Sequence, residues 1–227
     1  MATTPGYYMH ERREMAGFLP EAYNSVLEVG CGEGTFTSNL KPGCEIWGVE
    51  PYRIAAETAS NKMHRVLVGK YDEIVDGLPD NYFDLVICND VIEHVEDHDA
   101  FLDSIRTKMK REAYLVGSVP NVRCYSNLKH LLLRRDWKYA DAGILDRSHL
   151  RFFTEISLKR TLAQHGFSIE EYHGINRLEF KTSSIKSIVQ RVAIYCVIAV
   201  TLGSYTDICF GQFGFRARKS ITSDQSV

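Results

Sequence analysis

Three glycines at alternate positions form the clearest candidate ligand-binding motif of this 227-residue chain. Gly30, Gly32 and Gly34 directly follow a short apolar run over Ser25–Val29, which is typical of a buried strand. Because glycine has no side chain, the main chain there can adopt unusual angles and approach a ligand closely. The spacing differs from the GxGxxG dinucleotide fingerprint, since Thr35 occupies the sixth position. The loop therefore predicts a ligand that needs no pyrophosphate contacts at the start of the next helix.

An acidic residue at the end of the next apolar run points to a nucleoside. Glu50 is followed by Pro51 and lies well after Gly30 in the chain, where dinucleotide-binding folds place a ribose-binding carboxylate. Such a carboxylate accepts hydrogen bonds from both ribose hydroxyls. Because NAD sites share this feature, it supports an adenosine-containing ligand without choosing among them.

A scaffold that brings consecutive strand ends together is needed to position these residues. Apolar runs predict strands at 25–29, 45–49, 65–68, 83–88, 113–119, 168–172 and 210–218, and helical patterns lie between them at 35–40, 52–60, 100–110 and 154–164. This alternation predicts an α/β fold with parallel strands and helices on both faces. Ligands of such sheets bind beyond the carboxyl ends of the strands, where the strand order reverses.

Two segments are too long to be simple connections, and we interpret them as insertions in a single domain over 1–227. The first covers 121–153, with a helix expected near 128–135. The second covers 181–205 and is predicted to be an apolar helix. Its uncharged part, 192–203, is short of the roughly 20 residues that span a membrane. It is expected either as a buried helix or as a peripheral membrane contact.

Composition narrows the classes of partner. The net charge of -2 provides no strong field for nucleic acid. None of the six cysteines forms a CxxC pair, so we predict no metal site and a reducing, cytoplasmic setting. The N-terminal residues carry charges throughout, which predicts no secretory signal.

Three motifs in order resemble the class I S-adenosylmethionine-dependent methyltransferases. They are LEVGCGEGTF, GVEPY and FDLVICNDVIEHV, and the resemblance extends over about 7–174, with a weaker similarity in GQFGFRARK. It implies a Rossmann-like, seven-stranded sheet whose last strand is antiparallel. It also implies S-adenosylmethionine as cofactor and S-adenosylhomocysteine as product.

The resemblance assigns a donor site to residues that match the family motifs. The glycines would line the methionine part, Glu28 its amino group and Glu50 the ribose, and the turn at 69–72 would face adenine. The chain departs from the family at Lys70, where many members carry an acidic residue. The full set of expected donor-binding residues is Tyr8, Arg12, Glu28, Gly30, Cys31, Gly32, Gly34, Glu50, Pro51, Tyr71, Asp72, Asn89, Asp90, Val91 and His94.

Candidate catalytic residues follow from the chemistry of methyl transfer to a hydroxyl. The displacement gains from alignment and from a general base, often His, Asp or Glu. His94 follows the donor-binding turn, and Asp146 and His149 lie in GILDRSHLRFFT. That string resembles a bacterial methyltransferase subgroup associated with surface-polysaccharide and sugar biosynthesis. Structural roles remain open for all three, because buried polar groups must be paired.

Several functions remain open at this point. The favoured one is O-methylation of a sugar in a surface glycan or in its nucleotide- or lipid-linked precursor. The alternatives are a small-molecule methyltransferase of quinone or natural-product pathways, or an amino-sugar N-methyltransferase. A catalytically inactive donor-binding scaffold is the alternative of another class, and an NAD oxidoreductase is disfavoured by the glycine spacing. The sequence does not indicate the oligomeric state.

Overall fold

The computed structural model describes residues 11–178 and 185–220, except the side chains of 186 and 187. Its centre is a seven-stranded sheet in the order β3-β2-β1-β4-β5-β7-β6. The strands are β1 Ser25–Val29, β2 Glu45–Glu50, β3 Arg65–Val68, β4 Phe83–Asn89, β5 Met109–Pro120, β6 Phe167–Arg177 and β7 Phe210–Lys219. The strands β1 to β5 pair in parallel, and β7 is antiparallel to both β5 and β6. The predicted fold class is confirmed.

Helices and tight turns connect the strands. The α-helices are α1 Arg53–Ala59, α2 Tyr71–Ile74, α3 His98–Lys108, α4 Tyr125–Lys129, α5 Glu155–Gln164 and α6 Ile185–Val200. Single 3-10 turns occur at Arg13–Phe18, Thr35–Asn39, Val75–Gly77, Ile92–His94 and Thr206–Cys209, and a π turn at His130–Arg134. The segment after the glycine loop is therefore a 3-10 turn rather than the predicted helix.

The sheet separates two apolar layers, as its alternating side chains require. Leu27 of β1 packs in one layer together with Phe101 of α3 and Leu158 of α5. Its neighbour Val26 packs in the other, against Phe18 of the N-terminal 3-10 turn. Consecutive strand residues point to opposite faces, so this division confirms that helical segments cover both sides of the sheet.

The boundary between α3 and β5 differs from the predicted one. Met109 continues the four-residue apolar spacing of α3, which placed it in a helix over 100–110. In the structure it is fully buried and pairs with Phe83 of β4, after which the register shifts. A positive φ at Glu112 accompanies this irregularity. Pairing with a buried strand overrides the local helical pattern.

The first insertion is tied to the segment that precedes β7. The side-chain amide of Asn121 donates to the carbonyls of Asp207 and Phe210 at 2.9 and 3.0 Å. Arg123 forms a salt bridge with Asp207 at 2.6 Å. The insertion returns to the sheet through a bridge between Asn121 and Phe153. Both of its ends are therefore fixed beside the carboxyl end of β5.

The second insertion contains α6, whose apolar side chains are largely exposed. Ile194 is buried, whereas Val189 is 61% and Val200 is 84% exposed. The expectation of a fully buried helix is therefore wrong for the described residues. Among the described helices, none is both long enough and apolar enough to cross a bilayer.

Candidate functional site

The glycine loop after β1 adopts a left-handed backbone. Gly30, Gly32 and Gly34 have φ values of 71°, 53° and 69°. Residues other than glycine rarely adopt such values. A Cβ at position 30 would lie 2.9 Å from Cγ2 of Val91 in the turn after β4. The N–H of Gly30 donates to the carbonyl of Val49 at 2.8 Å, which anchors the loop to β2. The glycine loop and the turn after β4 can approach each other because Gly30 has no side chain.

Three further predicted residues around this loop differ in what they can offer a ligand. Cys31 is 4% exposed, and a Cβ at Gly48 would lie 2.7 Å from its Sγ. Val91 is half-buried and Pro51 is exposed. Cys31 can therefore contribute only its backbone, whereas Val91 and Pro51 present apolar surface.

Two neighbouring carboxylates lie beneath the loop. Glu50, at the end of β2, accepts hydrogen bonds from the N–H groups of Gly32 and Tyr52, both at 2.9 Å. Burial raises its pKa, although these bonds oppose the shift. Burial, together with the charge of Glu50, raises the pKa of Glu28 to about 8. The hydrogen bonds to Glu50 thus favour its ionised form, whereas the surroundings of Glu28 favour its neutral form.

The turn after β4 is bound to the N-terminal segment. Asp90 has a φ of 54° and forms a salt bridge with Arg12. Its Oδ1 accepts hydrogen bonds from Ser118 and Gln212, both at 2.8 Å. Arg12 also donates to Ser118 at 2.9 Å. The predicted pair of Arg12 and Asp90 is brought together, and Tyr8 lies outside the described residues.

The turn after β3 presents fewer polar groups than predicted. Tyr71 is 8% exposed, packs edge-on against Phe101 and shares a hydrogen bond of 3.1 Å with Ser104. Its side chain belongs to the core, so only its backbone can face adenine. Asp72, in the first turn of α2, is exposed, as is Lys70.

Two buried polar groups at this edge of the sheet have no hydrogen-bond partner among the described residues. They are Oε2 of Glu28 and both amide atoms of Asn89, on the adjacent strands β1 and β4. Buried polar atoms without partners are uncommon and costly. The ammonium and carboxylate of a methionine moiety would supply complementary partners, so the residues present fit the amino acid end of S-adenosylmethionine.

A second polar cluster lies on the side of the β4 turn that faces the first insertion. Glu93 is fully buried, and its carbonyl accepts hydrogen bonds from the N–H groups of Leu150 and Arg151 at 2.8 and 3.1 Å. The rings of His94 and His149 meet edge-on with centroids 4.8 Å apart. Burial and the neighbouring His149 lower the pKa of His94. The two predicted histidines therefore share one site.

Asp146 does not join this cluster through its side chain. Its Oδ1 accepts hydrogen bonds from the N–H and hydroxyl groups of Ser148 at 2.8 and 2.6 Å. Burial raises its pKa, but these bonds outweigh that effect, and the pKa is lowered overall. The ring of His149 is held instead by the carbonyl of Ile144. These contacts give Asp146 a turn-forming role.

Arg147, Arg151 and Trp137 of the first insertion contact other residues of the protein. Arg151 donates to the carbonyl of Glu96 at 2.6 Å, and Arg147 pairs with the exposed Asp141 at 3.0 Å. Trp137 packs edge-on against Phe152 at 5.2 Å between ring centroids. The guanidinium groups of Arg147 and Arg151 therefore already have partners within the protein.

Three residues of these clusters were missed or undervalued by the sequence reasoning. Ser118 lies at the carboxyl end of β5, where the strand-end rule directs attention, so a systematic scan of strand ends would have found it. Gln212 reaches Asp90 only because β7 enters the sheet antiparallel, and no local pattern reveals that. Glu93 was not among the predicted site residues, although a carboxylate inside an apolar turn is itself a signal.

Comparison with known proteins gives a consistent family. A family model described as "Methyltransferase domain" matches residues 3–172. Two curated relatives are named "Ubiquinone biosynthesis O-methyltransferase". The protein from Nitrobacter winogradskyi is 24% identical over 166 residues, which is 66% of this chain and 59% of the relative. The protein from Bradyrhizobium diazoefficiens is 30% identical over 166 residues, 66% of this chain and 60% of the relative. The matches therefore span about 60% of those relatives' length.

A solved structure supports the fold. The "SAM dependent methyltransferase from Archaeoglobus fulgidus" superposes with a TM-score of 0.59 at 24% identity, covering 91% of this chain and 90% of that chain. At this level of identity the likeness concerns the fold alone.

Proposed function

Because this chain belongs to the methyltransferase domain family, we propose that it methylates an oxygen of a small-molecule acceptor with S-adenosylmethionine as the donor. The reaction breaks the bond between the methyl carbon and the sulfonium and forms a carbon–oxygen bond. S-adenosylhomocysteine leaves with the electron pair of the broken bond, and the hydroxyl proton is released. The observation that carries the proposal is the glycine loop, which lies between a buried acidic pair and a turn with unpartnered polar atoms.

The donor would bind across the carboxyl ends of β1, β2 and β4. Its ribose hydroxyls would replace or share the hydrogen bonds that Glu50 now accepts. Its ammonium group would lie near Glu28 and the amide of Asn89, and its carboxylate near Arg12. A bound ammonium would favour the charged form of Glu28, whose pKa is raised to about 8 without it.

The acceptor that we favour is a hydroxylated aromatic ring of the quinone-precursor type. The curated relatives are named for ubiquinone biosynthesis. The first insertion also brings His149 against His94 and carries the paired aromatic rings of Trp137 and Phe152. A sugar hydroxyl, which the sequence favoured, is the second candidate. It has less support, because Arg147 and Arg151 are engaged by Asp141 and by the carbonyl of Glu96.

An apolar acceptor also gives a use to α6. The helix exposes Ile188, Val189, Val192, Tyr195 and Val200, each at least half exposed. We propose that this face rests on a lipid surface from which an apolar acceptor is taken. Replacing Val192 with Glu is expected to abolish co-sedimentation with phosphatidylglycerol vesicles. The matched control is Ile156→Glu on α5, because Ile156 is 73% exposed but lies on another helix. Equal binding of both variants would contradict the membrane contact.

The first experiment is a calorimetric titration of the purified protein with S-adenosylhomocysteine, with NADH as a parallel control. Binding of S-adenosylhomocysteine alone is expected. Methyl transfer is then measured with a dihydroxybenzoate and with a nucleotide sugar as acceptors, and only the first is expected to react. Binding of NADH alone would make the protein an oxidoreductase. Donor binding without turnover on any acceptor would favour the scaffold alternative.

A further inference from the structure

One carboxylate and two imidazoles converge on the acceptor side of the β4 turn. One ligand atom from each of Glu93, His94 and His149 lies within 4.8 Å of the others. Glu93 and His94 belong to the 3-10 turn after β4, and His149 comes from the first insertion. The backbone bonds from Leu150 and Arg151 to the carbonyl of Glu93 hold the two segments together. The cluster is therefore a fixed feature of the fold.

The hydrogen bonds of both imidazoles fix which nitrogen remains free. Nδ1 of His94 lies 3.1 Å from the carbonyl of Ser148, and Nδ1 of His149 lies 3.0 Å from that of Ile144. A carbonyl oxygen can only accept, so each Nδ1 carries the proton and each Nε2 keeps its lone pair. Metal-binding histidines are oriented in this way, with the second ring nitrogen donating to a backbone carbonyl or a carboxylate.

Glu93 supplies an independent sign of a missing partner. It is 0% exposed, and neither carboxylate oxygen has a hydrogen-bond partner among the described residues. A buried carboxyl group without partners costs free energy, and proteins avoid this cost with a paired charge or a metal ion. Two lone pairs on neutral imidazoles cannot satisfy an ionised carboxylate, whereas a cation placed between the three groups satisfies all of them.

We propose that Glu93, His94 and His149 bind a divalent cation of the zinc type. Imidazole with a carboxylate suits Zn²⁺, Co²⁺ or Fe²⁺ better than Mg²⁺, which prefers oxygen ligands. Three protein ligands leave at least one coordination position open. Bonds of about 2.0–2.2 Å bring ligand atoms closer together than in the present arrangement, so binding requires small side-chain rotations. This proposal departs from the expectation based on the cysteine pattern, which considered only sulfur ligands.

The role of the cation rests on the proposed function, although its binding does not. A hydroxyl next to a divalent cation loses its proton more readily. The acceptor proton then passes to solvent, the oxygen attacks the methyl carbon, and the sulfur keeps the electron pair of the broken bond. His94 and His149 are then ligands that position the acceptor rather than general bases.

The test uses the full chain, freed of metal with a chelator and titrated with Co²⁺, which gives a visible absorption band when bound by nitrogen and oxygen ligands. One equivalent is expected to bind, and Zn²⁺ is expected to displace it. His149→Ala and Glu93→Gln are each expected to weaken binding by at least tenfold, since the loss of an outer partner alone typically costs 10–100-fold. The matched control is His130→Ala, because His130 is an exposed histidine of the same insertion.

Titration with S-adenosylhomocysteine accompanies each metal titration and shows that each variant is folded. Donor binding without any Co²⁺ binding would overturn the cation site and leave the methyltransferase proposal intact. Co²⁺ binding without donor binding would support the site and reject the proposed function. Equal Co²⁺ affinity in all three variants and the parent chain would overturn the site. Full transfer activity of the metal-free protein would overturn the role of the cation in the reaction.

Discussion

Glu28 is a buried carboxyl group whose protonation should link stability to pH in the absence of donor. Its pKa is raised to about 8 by burial and by Glu50, from an ordinary value of 4.5. A raised acid pKa gives stability that is fully present below the unfolded pKa and is lost as pH rises through the folded one.

Glu28→Gln should therefore remove a pH dependence that the parent chain shows. From about pH 5 to about pH 8, the parent should lose stability relative to the variant by up to about 1.4 kcal/mol per pH unit. Urea unfolding at several pH values, without donor, measures the difference. A difference that stays constant with pH would show that Glu28 is already ionised in the fold.

Glu50 should contribute directly to donor affinity. Glu50→Ala is expected to weaken S-adenosylhomocysteine binding by roughly 1–3 kcal/mol, the cost of losing charge-assisted hydrogen bonds. Glu50→Gln keeps one acceptor oxygen and should lose less. Glu57→Ala is the control, because Glu57 is an exposed carboxylate on the neighbouring helix α1. Calorimetry that gives the same affinity for Glu50→Ala and Glu57→Ala would remove Glu50 from the site.

At the level of residues, motifs that follow a strand were predicted well from sequence, and contacts between distant segments were not. The glycines, Glu50 and Asp90 each lie at the carboxyl end of a strand or directly after it, so their position follows from the parallel sheet. Tyr71 was placed by chain position alone, and its burial against Phe101 depends on how α3 packs. The partners of His149 lie within its own insertion, whose turn geometry the sequence pattern does not define.

The glycine loop allows a matched comparison at the level of elements. Gly30→Ala and Gly43→Ala both place a side chain at a positive φ, 71° and 83°, and each should cost about 1 kcal/mol of stability. A Cβ would meet Val91 at position 30 but nothing within 4 Å at position 43. Only Gly30→Ala should therefore reduce donor affinity, by at least about tenfold, an extra cost of about 1.4 kcal/mol. Similar affinities in the two variants would show that the loop does not bind the donor.

The order and type of most elements followed from apolar periodicity, including α5, which Thr154 begins and which ends before Gly166. Thr154 accepts a hydrogen bond from the N–H of Ser157, and Gly166 has a φ of 73°. Errors occurred where pairing across the sheet decides the conformation. Met109 belongs to β5 because it pairs with Phe83 of β4. The strand β6 extends to Arg177 because that residue still pairs with Phe210 of β7.

The cysteine thiols of the whole molecule should differ strongly in how readily a reagent modifies them. Cys31, Cys44, Cys88 and Cys124 are buried, whereas Cys196 on α6 is exposed. Burial also raises the pKa of the Cys31 and Cys88 thiols, which removes the reactive thiolate. Maleimide labelling followed by mass spectrometry should find Cys196 modified first and the buried four only after unfolding.

The same labelling experiment also tests whether the exposed face of α6 contacts lipid. Phosphatidylglycerol vesicles should slow the modification of Cys196, since the helix would then lie against lipid. Unchanged labelling in the presence of vesicles would contradict that contact.

The antiparallel position of β7 has a consequence for how the protein is made. In the finished sheet, β7 lies between β5 and β6 and pairs with both. During synthesis, β6 leaves the ribosome before β7, so it has no strand to pair with while α6 is translated. A nascent chain that carries β1 to β6 exposes the edges of β5 and β6 that β7 later covers, and such edges invite association with other chains. Arrest of translation before residue 210 should therefore yield chains that depend on chaperones, and the release of the final strand should end that dependence.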